Sequence, residues 1–78
     1  FDVCNFEDAD FQETDLTGAI FRGCNLKNVE MQRVKLTNAD LRGSLVDGMH
    51  VSPESLRGAT VDPTQAMVFA QLLGIRIL

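Results

Sequence analysis

Ala39-Asp40-Leu41-Arg42-Gly43 reads small, polar, large apolar, polar, glycine. The same five-residue pattern runs through most of the chain. Every fifth residue from the start is apolar: Phe1, Phe6, Phe11, Leu16, Phe21, Leu26, Met31, Leu36, Leu41, Val46, Val51, Leu56 and Val61. That unbroken row stands out because only 45% of the chain is hydrophobic. Two residues before it runs a mostly small row: Cys4, Ala9, Thr14, Ala19, Cys24, Val29, Val34, Ala39, Ser44 and Ala59. Two residues after it come five of the six glycines (Gly18, Gly23, Gly43, Gly48, Gly58) and both prolines. A period of five matches neither the alternation of a strand nor the period of a helix, so the chain is a repeat architecture. One large and one small side chain per repeat turn inward, three residues stay outside, and the chain bends at Gly or Pro.

These residues resemble the pentapeptide-repeat family, whose pattern is Ala-(Asp/Asn)-(Leu/Phe)-(Ser/Thr)-Gly. Thr14-Asp15-Leu16-Thr17-Gly18, Ala39-Asp40-Leu41-Arg42-Gly43 and Cys24-Asn25-Leu26 carry the likeness. The resemblance implies an all-β solenoid, a right-handed quadrilateral parallel β-helix in which four repeats make one coil. Residues 1–62 then form about three coils. Positions twenty apart do match: Ala19 with Ala39 and Ala59, Cys4 with Cys24 and Ser44, Leu16 with Leu36 and Leu56. The interior is filled by side chains, which leaves no room for a ligand. The first layer (Phe1, Phe6, Phe11, Leu16) lacks a neighbour to stack on and the chain opens in mid-repeat, so the expectation is the C-terminal part of a longer solenoid.

The repeat falters at Met49-His50-Val51-Ser52-Pro53-Glu54-Ser55, where Met49 and Glu54 fall in small slots. A buried unpaired Glu is costly, and Ser52-Pro53 reads as an N-cap followed by proline at the first helical position, so a brief helical turn or bulge is expected to swing Glu54 outward. Residues 63–78 read as a short C-terminal capping α-helix and tail. Asp62 is the N-cap, Pro63 the first helical residue and Gly74 the stop. Ala66, Phe69, Ala70 and Leu73 fit a face that packs on the last coil. Met67, Val68 and Leu72, with Ile75 and Ile77 of the strand-like tail Ile75-Arg76-Ile77-Leu78, leave an apolar excess. That excess points to a two-fold homodimer through the C-terminus.

The net charge is −4, which speaks against direct nucleic-acid binding. No segment reaches transmembrane length and no signal peptide is visible. The two cysteines sit in the small inward row as buried reduced thiols, which suggests a cytoplasmic setting. His50 falls outward with Asp10 and Glu30, a surface contact without a cleft. No cofactor, metal or phosphate motif occurs, so no enzyme is expected. Acidity is concentrated in the first twenty residues, where Asp2, Glu7, Asp8, Asp10, Glu13 and Asp15 meet no basic residue. These six form the candidate partner-binding face. Residues 21–40 carry Arg22, Lys27, Arg33 and Lys35 against Glu30 and Asp40.

The segment Arg57-Gly58-Ala59-Thr60-Val61-Asp62, with Gln65-Ala66 and Leu73-Gly74-Ile75, resembles the ending of the quinolone-resistance (Qnr- and MfpA-type) members of that family. This resemblance implies a protein partner, DNA gyrase or topoisomerase IV, bound by likeness to duplex DNA, and a homodimer joined at the C-termini. A coil of about 4.8 Å replaces about three duplex charges, and coil one offers six carboxylates. The cations of coil two run against such mimicry, so a general protein-interaction scaffold is the alternative.

Overall fold

The chain, as a computed structural model, is described over residues 1–75. Residues 76–78, including Ile77, lie outside the described part. The fold is set by its corners. Val3, Asp8, Glu13, Gly18, Gly23, Asn28, Arg33, Asn38, Gly43 and Gly48 all have φ between 49° and 79°. At most corners the large residue's carbonyl accepts the N–H three residues on, as Ala9 N–H donates to Phe6 O at 2.8 Å and Ala39 N–H to Leu36 O at 2.9 Å. At Gly23 the Ser44 hydroxyl links the two groups instead, accepting Cys24 N–H and donating to Phe21 O. Positive φ at the third residue is what such a β-turn demands. It also explains why the slot holds mostly Gly, Asn and Asp.

Four corners bring the chain back on itself after twenty residues, one coil higher. Parallel bridges join Asn5 to Asn25 and Asn25 to Leu45, Asp10 to Glu30 and Glu30 to His50, and Ile20 to Asp40 and Asp40 to Thr60. Each side is too short between corners to form an extended strand, so the pairing consists of isolated bridges. The ladder follows a fixed arithmetic. An N–H donates either to the carbonyl nineteen residues ahead, as Phe6 to Asn25 at 2.8 Å, or to the one twenty-one behind, as Asn25 to Cys4 at 2.9 Å. Asp and Asn before the large residue close a second small ring. Asp10, Asp15, Asn25 and Asp40 each accept, through Oδ1, the N–H two residues on at 2.9–3.0 Å.

The inward rows form the core. Phe21, Leu26, Met31, Leu36, Leu41 and Val46 are buried with Cys24, Val29, Val34 and Ala39. Phe6, Phe11, Leu16, Val51, Leu56 and Val61 are half-buried and packed against that cluster. Phe1 departs from the expectation for its row, being 58% exposed in the outermost layer, where its ring stacks on Phe21 at 4.9 Å.

The break in the repeat follows the Ser52-Pro53 start signal. Proline cannot take positive φ, so Pro53 cannot serve as a corner. Instead Ser52 starts a turn, its hydroxyl accepting the Ser55 N–H at 3.3 Å and its carbonyl the Leu56 N–H at 3.3 Å. The turn leaves Glu54 in solvent and sends Ser55 inward, 2% exposed. Met49 does enter the core in spite of its size.

Helix α1 spans Pro63–Leu72. Asp62 accepts the Gln65 N–H at 2.8 Å, and Gln65 Oε1 accepts the Asp62 N–H at 3.1 Å, a reciprocal capping box. Its buried contacts are Gln65 and Phe69, with Val68 half-buried on the core. Ala66, expected to pack inward, is exposed. The same two capping side chains terminate the ladder. Gly43 N–H donates to Asp62 Oδ2 at 3.0 Å, where a further coil would have offered the residue-62 carbonyl. Ser44 O accepts Gln65 Nε2 at 2.8 Å in place of the residue-65 N–H, and Leu41 O accepts the same amide. Leaving such buried acceptors unpaired costs about 1–3 kcal/mol each. Gln65→Ala should therefore lower the unfolding free energy by about 2 kcal/mol or more, measured by urea denaturation.

Candidate interaction faces

The sides can be numbered from the third coil: side I is 39–43, side II 44–48, side III 49–53 and side IV 54–58, with their counterparts twenty and forty residues earlier. All six carboxylates of the expected acidic face are exposed. The fold divides them among four sides instead of gathering them on one. It also sets most of them against a cation or donor of coil two. Asp2 bridges to Arg22 and Asp15 to Lys35. Glu13 pairs with Arg33 at 3.4 Å, and Glu7 accepts the Asn25 side-chain amide at 3.1 Å. Asp8 and Asp10 differ. Asp8 is a corner opposite Asn28, and Asp10 lies in the ladder beside Glu30.

Charge is therefore uneven around the axis as well as along it. Side II holds Glu7, Asp8 and Asp47 against Lys27, and side III holds Asp10, Glu13 and Glu30 against Arg33. Together the two adjacent sides carry a net −4. Side IV balances Asp15 and Glu54 with Lys35 and Arg57, and side I sets Asp2, Asp40 and Asp62 against Arg22 and Arg42. The ladder places Glu30 between Asp10 and His50, the outward column expected from the spacing. His50 Nδ1 lies 3.2 Å from Glu30 Oε2, while Glu30 Oε1 is buried with no partner among the described residues.

Several carboxylates are occupied by their own turns. Asp40 is clamped by Arg42, whose Nε and Nη2 approach Oδ1 and Oδ2 at 3.0 and 2.7 Å. This, with the Arg42 N–H, pushes its pKa down to about 2. The Thr17 hydroxyl, at 2.6 Å, holds Asp15 below the usual carboxylate range, helped by the Thr17 N–H and Lys35. The N–H groups of Gln65 and then Gly43 lower Asp62.

The proposed dimer residues are also separated by the fold. Met67, Leu72 and Ile75 are 57%, 38% and 56% exposed. Val68 turns toward the core instead, because the helix rolls its Gln65–Phe69 stripe onto the coil end. An apolar groove lies between α1 and the last coil, lined by Leu56, Ala59, Val61, Phe69, Leu73 and Ile75 among others.

Eight copies of the pentapeptide repeat match a family model over residues 4–43. The chain belongs to the pentapeptide-repeat family. The family's repeats account for the β-helical solenoid built from these coils. Among solved structures the chain is similar to a pentapeptide repeat protein (Rfr23) from the cyanobacterium Cyanothece 51142. That likeness has 20% identity and a TM-score of 0.35, over 74% of this chain and 44% of the other. The chain thus spans less than half the length of that solved relative. No curated protein matches the chain. No helix among the described residues is long and apolar enough to cross a membrane.

The lowered carboxylates give the solenoid an acid limit. Each prefers its charged form when folded, so its contribution is complete above the ordinary range near pH 4 and is lost as pH falls through the folded value. For Asp40 the window runs from about pH 4 to about 2. Asp40→Asn, an exchange the repeat already makes at Asn5 and Asn25, should flatten the stability profile in that window, as followed by circular dichroism.

Proposed function

We propose that this chain is a non-enzymatic interaction module whose sides II and III act as a duplex-like strip of negative charge. The partner is the DNA-binding groove of a type II topoisomerase, DNA gyrase or topoisomerase IV, which the module modulates or protects against quinolones. The observation that carries this reading is the net −4 on two adjacent sides of a rod 34 Å long and 22 Å across, a width close to that of B-form DNA. The C-terminal segment from Arg57 to Ile75, which resembles the quinolone-resistance members, supports it. Three coils of about 4.8 Å would replace about eight duplex charges, so the strip reaches half the density and its binding should be salt-sensitive. The near balance of charge on sides I and IV favours the second reading, a general interaction scaffold.

A gyrase supercoiling assay over a salt series separates the two. Glu7→Gln with Asp8→Asn should raise the inhibitory concentration several-fold at low salt. Asp2→Asn with Asp15→Asn, on paired sides, should change it less than two-fold. Equal effects from both double variants, or no inhibition by the parent chain, would remove the topoisomerase reading and leave the scaffold.

We infer also that the chain forms a homodimer through its C-terminal end, using Met67, Leu72 and Ile75 around the apolar groove. Ile77 was expected in the same interface. Sedimentation velocity should give twice the chain mass, falling to the monomer for Met67→Asp with Leu72→Asp. A parent chain that sediments as a monomer at high micromolar concentration sinks the dimer.

A further inference from the structure

Cys4 and Cys24 occupy the same inward slot in successive coils, and neither is in a disulfide. The ladder fixes their separation, because Asn25 N–H donates to Cys4 O at 2.9 Å and Phe6 N–H to Asn25 O at 2.8 Å. Their Cα atoms are thus one coil apart, about 4.8 Å, inside the range of roughly 4.4–6.8 Å that a disulfide accepts. The Cβ atoms share that spacing and must close by a few tenths of an ångström to reach about 4.5 Å. Access is unequal. Cys4 is half-buried and Cys24 is 1% exposed.

We propose that Cys4 and Cys24 are a redox modification site, a vicinal dithiol that a low-molecular-weight disulfide converts to an inter-coil cross-link. The Cys4 thiolate attacks one sulfur of the oxidant, and half of the oxidant leaves as a thiol. The Cys24 thiolate then attacks Cys4 Sγ in the mixed disulfide and expels the second half. The two cysteines lose two electrons and two protons, and the oxidant becomes two thiols. Cys24, sealed behind coil one, acts as the resolving partner and meets the oxidant only through Cys4. Closure against the ladder spacing strains the product, which makes it easily reduced again.

The column already accommodates a serine side chain, which makes serine the matched replacement. Ser44 fills the same column one coil on, and its hydroxyl donates to Phe21 O at 3.0 Å. The Cys24 thiol makes the equivalent contact to Phe1 O at 3.3 Å.

The test treats the native full chain with oxidised glutathione and reads intact mass and free thiols. The expected result is loss of both thiols and of two hydrogens, reversed by dithiothreitol, with the chain monomeric in thiol linkage on a non-reducing gel. Cys24→Ser should stop at one glutathione adduct on Cys4, and Cys4→Ser should stay unmodified. Any of three results overturns the proposal: a parent chain that holds a stable glutathione adduct, one that cross-links only between molecules, or one that does not react.

Discussion

Every coil depends on one backbone constraint, a residue with positive φ at each corner. The constraint has a period of five because a turn must follow each inward pair, and the turn's third residue must enter the left-handed region. Glycine enters without steric cost, and Asn and Asp enter at a small one. Charged residues still do so at Glu13 and Arg33, held by the carbonyl–amide closure of the turn, and Val3 does so without it. Gly48 has a second reason to lack a side chain, since a Cβ there would collide with Asn28 Oδ1. The one corner slot filled by proline inside the coils is the one place where the square path breaks, and a serine turn carries the chain round instead.

Once the corners fix a twenty-residue period, the ladder turns sequence positions into neighbours. Asp2 then lies beside Arg22, Asp15 beside Lys35 and Glu13 beside Arg33. Opposite charges across adjacent strands favour the correct register, although exposed pairs of this kind add little stability each. The pairing also shapes the surface. It neutralises side IV, leaves side I with a single excess carboxylate, and leaves most of the acid on the other two, where Asp8 and Asp10 face no cation of coil two. Two requirements thus share the outward positions: holding register, and showing charge to a partner.

The end of the column faces a different problem, because a ladder that stops exposes donors and acceptors. Here the side chains of Asp62 and Gln65 take over for the main chain at the positions the next coil would have filled. These two residues cap the helix and finish the sheet together. The helix is therefore tied to the coil by polar contacts at its first turn and by Phe69 one turn later.

The period, the inward rows and the helix start at Asp62-Pro63 were legible in the amino-acid order, since each follows from local turn chemistry and from apolar spacing. So was the break, where Ser52-Pro53 opens a turn that leaves Glu54 in solvent; apolar spacing does not reveal the sign of φ that bars proline from a corner. Tertiary structure alone decided what the charges do. Six carboxylates close in sequence were spread by the coil over four sides, where Glu13 pairs with Arg33, Glu7 meets Asn25, and Asp10 and Asp15 are taken up by their own turns. It likewise decided the roll of α1, burying Gln65, half-burying Val68 and exposing Ala66. Helical periodicity ranks apolar residues, but two buried carbonyls at the coil end favour an amide donor in that position.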